Sequence, residues 1–327
     1  MRKNVLSIKG VILCASLILI FSFICACKSG VMRSKAPAPT IPGASYVGDE
    51  TCLGCHEDAN PDLMAAYKHS IHAAIADFET TPYGVQKGCE ACHGPGSIHA
   101  EGGDPASIIN LKKVTPDEAS AICLKCHKSG ALMKWQGSEH SLNGVSCIEC
   151  HKIHQARSAI QRAKAPSSAW ERKVVRPHAL IKAEPDLCYK CHKEIQTRLN
   201  YTSHHPVREG KMVCSECHEP HGSPRLIKTE GRTINDACFT CHPQYQGPFA
   251  YEHDPVVEDC TICHEPHGTV VNNLLKKTEP FLCLQCHHIH SPISSDESVK
   301  QVVGRKCSYC HPEIHGSNAA PHLGAKF

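Results

Sequence analysis

Ten Cys-x-x-Cys-His pentapeptides constrain this 327-residue chain more than any other feature. Their cysteine pairs are Cys52 and Cys55, Cys89 and Cys92, Cys123 and Cys126, Cys147 and Cys150, Cys188 and Cys191, Cys214 and Cys217, Cys238 and Cys241, Cys260 and Cys263, Cys283 and Cys286, and Cys307 and Cys310. The histidines that close them are His56, His93, His127, His151, His192, His218, His242, His264, His287 and His311. A single Cys-x-x-Cys fits a zinc knuckle or a redox dithiol equally well. Ten in succession, each carrying the histidine, fit thioether attachment of haem c, with the histidine as proximal iron ligand. The sequence therefore calls for ten covalently attached haem c groups. The other three cysteines, Cys14, Cys25 and Cys27, lie in the N-terminal apolar segment, so the body keeps none for a disulfide.

Ten haems leave roughly thirty residues of chain for each, too few to build a separate polypeptide core around every one. Aromatic residues make up only 5% of the sequence, so the macrocycles must supply much of the apolar interior. The expected fold class is a multihaem cytochrome c: short α-helices and irregular loops wrapped around a chain of ten haems, with almost no β-sheet. The formal charge of +3 counts Arg2, Lys3 and Lys9 at the N-terminus and omits the haem propionates. The mature, loaded protein is expected to be acidic, which argues against a nucleic-acid partner.

The first 26 residues pair a basic start with an apolar run from Val11 to Ala26, too short for a membrane span and suited to a signal peptide. The sequence "ICAC" at its end gives the signal a lipoprotein character, with Cys27 as the residue to be lipidated. Cys25 is the poorer choice because bulky Phe23 and Ile24 precede it. Ordinary cleavage nearby is the alternative, and either route exports the chain. Residues 27–45, rich in Pro, Ala and Ser, read as a tether.

Internal repetition organises the rest. "CSECHEPHGS" (214–223) returns as "CTICHEPHGT" (260–269), and "EPDLCYKCH" (184–192) returns as "EPFLCLQCH" (279–287). A unit of two attachment motifs, with one histidine between them and another after the second, recurs five times. The first motif often opens a short helix: in "TPDEASAICLKCH", Thr115 is placed as N-cap, Pro116 in the first turn and Glu118 at the third position. The spare histidines of the five units are His72 and His99, His140 and His154, His205 and His221, His253 and His267, and His290 and His315. That is one for each haem, whereas methionine, the common alternative sixth ligand, occurs only five times. Bis-histidine ligation is the economical expectation. His221, three residues after His218, leaves the same side of a local turn and cannot straddle the same iron, so it should serve another haem. His69 competes with His72, His204 with His205, and His288 with His290; His178 and His322 read as solvated.

With these motifs in view, the chain resembles the MtrA/DmsE family of periplasmic decahaem c-type cytochromes over about residues 46–320. The resemblance rests on "GCEACHGPGSIHAEGG", "CSECHEPHGS", "YEHDPVVEDCTICHEPHGT" and "CSYCHPEIHGSN". It implies two pentahaem modules, assigned here to residues 46–192 and 193–327. It also implies a non-enzymatic electron conduit inside an outer-membrane β-barrel porin. The expected donor is a periplasmic or inner-membrane quinol-linked cytochrome; the acceptor is an outer-surface multihaem cytochrome, a reductase or a metal mineral. The expected place is the periplasm, with Cys27 anchoring the chain at the outer membrane. Two alternatives are an oxyanion reductase of the nitrite or hydroxylamine type, which needs an open iron, and a free periplasmic or filamentous carrier. The segment from His154 to Cys188 is enlarged relative to the family. Its basic stretch (156–182) reads as a solvated loop or as a docking patch for an acidic cytochrome.

Overall fold

An attachment motif has to present two thiols and one imidazole from five residues, and a single tight turn does this. In eight motifs, from Cys123 to His311, the closing histidine N–H donates to the carbonyl of the first cysteine at 2.9–3.0 Å. Six of these turns are 3₁₀ turns, for example Cys188–Lys190 and Cys214–Glu216. True helices begin where the sequence supplies a start signal. At Pro116–Cys123 the Thr115 hydroxyl accepts from the Glu118 N–H at 3.3 Å, and the Glu118 carboxylate accepts from the Thr115 N–H at 2.8 Å. This is the reciprocal capping box that the sequence calls for.

The computed structural model describes residues 36–73, 80–81, 84–85, 88–154, 179–222, 233–287 and 305–319. Cys27, the signal segment, residues 28–35 of the tether, His178, His288, His290, His322 and nearly all of the basic stretch lie outside these residues. Pro37–Phe327 forms one compact unit and Met1–Ala36 another. Regular structure is sparse: the longest described helix is Asp49–Ala59, of 11 residues. Strand pairing among the described residues amounts to Thr80–Thr81 against Gly84–Val85, with Thr80 opposite Val85, and four isolated bridges.

Two kinds of contact assemble the repeats. Within a unit, a polar side chain three or four residues ahead of the first motif binds the start of the second. Asp49 accepts from the Cys89 N–H at 2.7 Å, Glu184 from Ser215 at 2.8 Å, Asn235 from Cys260 at 2.7 Å and Glu279 from Ser308 at 2.8 Å. In the second unit Ser120 holds the same position, but its buried hydroxyl meets no hydrogen-bond partner among the described residues. Between units, the strand carrying one spare histidine pairs with the loop carrying the next. Ser203 and Thr269 exchange backbone hydrogen bonds at 3.1 and 2.8 Å, and Tyr251 and Ser317 do so at 2.8 and 2.9 Å. Gly268 permits this approach, because at its φ of +148° an added Cβ would collide with the Arg198 carbonyl. The expected module boundary at 192/193 is crossed by the side-chain contact of Cys188 with Cys214.

Among the described residues the wholly buried apolar side chains number nine: Met64, Ile109, Ala119, Ile122, Trp135, Leu187, Leu199, Val207 and Val213. That is a thin core for a chain of this length, and the reason lies in what the chain surrounds.

Candidate haem-binding chain

The repeats enclose a continuous cavity of about 5090 Å³, lined by all twenty motif cysteines and all ten motif histidines. A site for one small molecule occupies roughly 300–1,000 Å³, so this cavity has room for an array. Successive motifs meet along it. The thiols of Cys92 and Cys126, Cys150 and Cys188, and Cys263 and Cys286 are close enough to repel one another's charge. Within units the first cysteines touch. The Cys123 thiol bonded to Cys147 pushes Cys147 down to about 7 against the cost of burial, and Cys238 acts on Cys260 alike.

Nine motif histidines each face one of the spare histidines across the cavity. The ring centres stand 6.0 Å apart for His56 and His99, 6.1 Å for His93 and His154, and 6.1 Å for His127 and His72. They stand 6.0 Å apart for His151 and His221, 6.1 Å for His192 and His140, and 5.7 Å for His218 and His267. The last three are His242 and His205 at 6.3 Å, His264 and His315 at 6.1 Å, and His287 and His253 at 6.0 Å. A metal–imidazole bond is about 2 Å long, so two ligand nitrogens on opposite sides of one ion lie about 4 Å apart. The ring centres stand one ring radius farther out on each side, which accounts for the spacing seen in all nine pairs.

The tautomers suit this role. His93, His99, His140, His205, His253 and His264 each direct Nδ1 at a backbone carbonyl, 2.7–3.1 Å away. His221 and His267 direct Nδ1 at the carboxylates of Glu219 and Glu265. With Nδ1 donating, Nε2 is left as the basic nitrogen a metal requires. Burial holds His72, His154 and His315 below the usual imidazole range, again favouring the neutral ring. Trp135 also lines the cavity, and its buried indole N–H meets no acceptor among the described residues. A haem propionate would supply one. The residues present therefore fit a row of c-type haems.

Where two spare histidines compete in the sequence, the geometry separates them. His72 lines the cavity and faces His127, while His69 is exposed at a helix end. His205 faces His242, while His204 turns to Glu209 and the Tyr201 carbonyl. The staple residues Asp49, Glu184, Asn235 and Glu279 escape a reading of the motifs alone; a polar residue three or four positions ahead of each odd-numbered motif is the signal that would find them. Glu184 with Cys188 and Cys214, and Glu279 with Cys283 and Cys307, bring three donor atoms within 4.8 Å. Each carboxylate is already held by backbone N–H groups, and thioether formation removes both thiolates, so neither cluster is a separate metal site.

Known proteins are consistent with this arrangement. The doubled CXXCH motif family matches residues 204–247 and 253–292, and the NrfB-like cytochrome c-type proteins match residues 89–169. The doubled-motif matches pair the sixth motif with the seventh and the eighth with the ninth, half a unit out of phase with the cysteine contacts, as a periodic array allows. An undecaheme cytochrome from the S-layer of Carboxydothermus ferrireducens aligns over 71% of this chain and 52% of its own, at 16% identity and a TM-score of 0.16, too low to relate the folds. The multiheme cytochrome MtrA of Shewanella baltica (strain OS185) is 33% identical over 284 residues, covering 83% of this chain and 79% of its own. The chain belongs to the MtrA family of multihaem c-type cytochromes, which bind haem c and transfer electrons.

Proposed function

We propose that this protein is a conduit that passes electrons along ten haems and performs no substrate chemistry. The observation that carries the reading is the set of nine facing histidine pairs along one cavity. Each pair would hold one iron from both sides and leave no place there for an oxyanion. His311 takes the tenth position, and His290, which lies outside the described residues, is the partner that the repeat assigns to it. Haem c supplies the one-electron iron couple, while the chain spaces the haems, orders them along the sequence and covers their faces. The two pentahaem halves remain a functional division of this single array.

The route runs from a quinol-linked periplasmic or inner-membrane cytochrome, through a β-barrel porin, to an outer-surface cytochrome, reductase or mineral. No helix among the described residues is long and apolar enough to cross a membrane, so the passage comes from another polypeptide. The signal segment exports the chain to the periplasm, and a lipid on Cys27 holds it at the outer membrane.

The reading is tested with liposomes enclosing a reduced dye and an external acceptor. The dye should lose colour only when the holoprotein and the porin are both present. Rapid transfer by the cytochrome alone, in vesicles that do not leak, would overturn the porin-dependent conduit.

A further inference from the structure

Four of the spare histidines follow a charged residue by two positions: Lys152 before His154, Glu219 before His221, Glu265 before His267 and Glu313 before His315. At Glu219 and Glu265 the carboxylate reaches the ring. Glu219 Oε1 accepts from His221 Nδ1 at 2.9 Å. Glu265 Oε1 lies 3.3 Å from His267 Nδ1, and its Oε2 is shared with the Arg198 guanidinium at 2.8 Å. In His140, His205 and His253, by contrast, the acceptor at Nδ1 is a neutral carbonyl, of Pro220, Pro266 and Ile314 respectively.

The group bonded to the far nitrogen of a ligating histidine sets how strongly the near nitrogen donates. A carboxylate draws the ring toward imidazolate, which stabilises ferric iron and lowers the reduction potential; a nearby ammonium does the reverse. We propose that Glu219 and Glu265 are positioning residues that set the potentials of the haems held by His221 and His267, so that the array is stepped rather than level. The proposal rests on the ligand pairs assigned above. Glu219 meets no Lys or Arg among the described residues, so the haem of His151 and His221 has the lower potential of the two. Arg198 withdraws part of the charge of Glu265, placing the haem of His218 and His267 next. The haems whose spare histidine meets a neutral carbonyl, at His140, His205 and His253, stand above both.

Redox titration of the holoprotein, followed by absorbance, tests the order. In Glu219→Gln, which keeps an acceptor oxygen and loses the charge, the amplitude of one haem should move to a higher midpoint, and Glu219→Asp should restore it. Glu265→Gln should give a smaller upward shift of one haem, and Arg198→Gln a downward shift. The near-infrared band of bis-histidine iron is recorded on the same samples, with His221→Ala as its control. A full band in His221→Ala would sink the ligand assignment. An unmoved midpoint in Glu219→Gln with the full band retained would sink the tuning alone. Loss of band intensity in Glu219→Gln would show that Glu219 only holds His221 in place, which also overturns the tuning.

Discussion

His218 and His221 leave one turn three residues apart, yet their rings meet different partners: His267 at 5.7 Å and His151 at 6.0 Å. The same crossing recurs at His264 and His267, where His264 meets His315 and His267 returns to His218. Every such histidine therefore ties its own motif to the second motif of the preceding unit. Truncating one should open a single iron without releasing its haem, because the thioether bonds belong to other residues. His221→Ala is expected to keep all its haem on a denaturing gel and to gain a carbon monoxide difference spectrum of one haem. His69→Ala should gain none, since His69 is exposed and faces no motif histidine. Carbon monoxide binding by the unmutated protein at a full haem equivalent would instead reveal an iron that is already open.

At the scale of elements, legibility depended on how far apart the partners lie in the chain. The capping box at Thr115 and Glu118 could be read directly, because its residues are neighbours and its chemistry is specific. The set of spare histidines could be read from repetition, but their pairing could not. His151 and His221 are brought together by intervening loops and by staples that do not share a residue type. Asp, Glu, Asn and Glu fill the four positions that bond, and Ser120 the fifth, so identity-based repetition passes over them. What the four share is an acceptor oxygen of the right reach. Asn235 is the most completely buried of them, at 2% exposure. It accepts from Cys260 and donates to the carbonyls of Val256 and Val257 at 2.9 and 3.1 Å. Asn235→Ala strands these groups in a buried place, at a cost of about 1–3 kcal/mol. The holoprotein's thermal midpoint should fall, with the haem spectrum unchanged at low temperature. Asn235→Asp, which keeps the acceptor for Cys260, should recover part of the loss. An unshifted midpoint in Asn235→Ala would mean that the thioether links alone hold the unit together.

For the whole molecule, the decisive comparison is between what the chain buries on its own and what it surrounds. Nine apolar side chains are wholly buried among the described residues, while the cavity they border measures about 5090 Å³. Ordering a backbone costs about 1–2 kcal/mol per residue, and so small a core cannot offset that over the length of the body. Filling the cavity with covalently bound macrocycles changes the balance twice. It turns the cavity walls into buried surface, and it cross-links the chain at every motif, which reduces the freedom of the unfolded state. Folding and haem attachment are then one event, and no stable apoprotein stands between them. Expressed without the haem-attachment machinery, the exported body should be disordered by circular dichroism and digested within minutes by a protease that leaves the holoprotein intact. Free haem added afterwards, without thioether formation, should restore only part of that resistance. A compact, protease-resistant apoprotein would show that the loops hold one another without the haems, and the staples would then carry far more of the stability than their hydrogen bonds suggest.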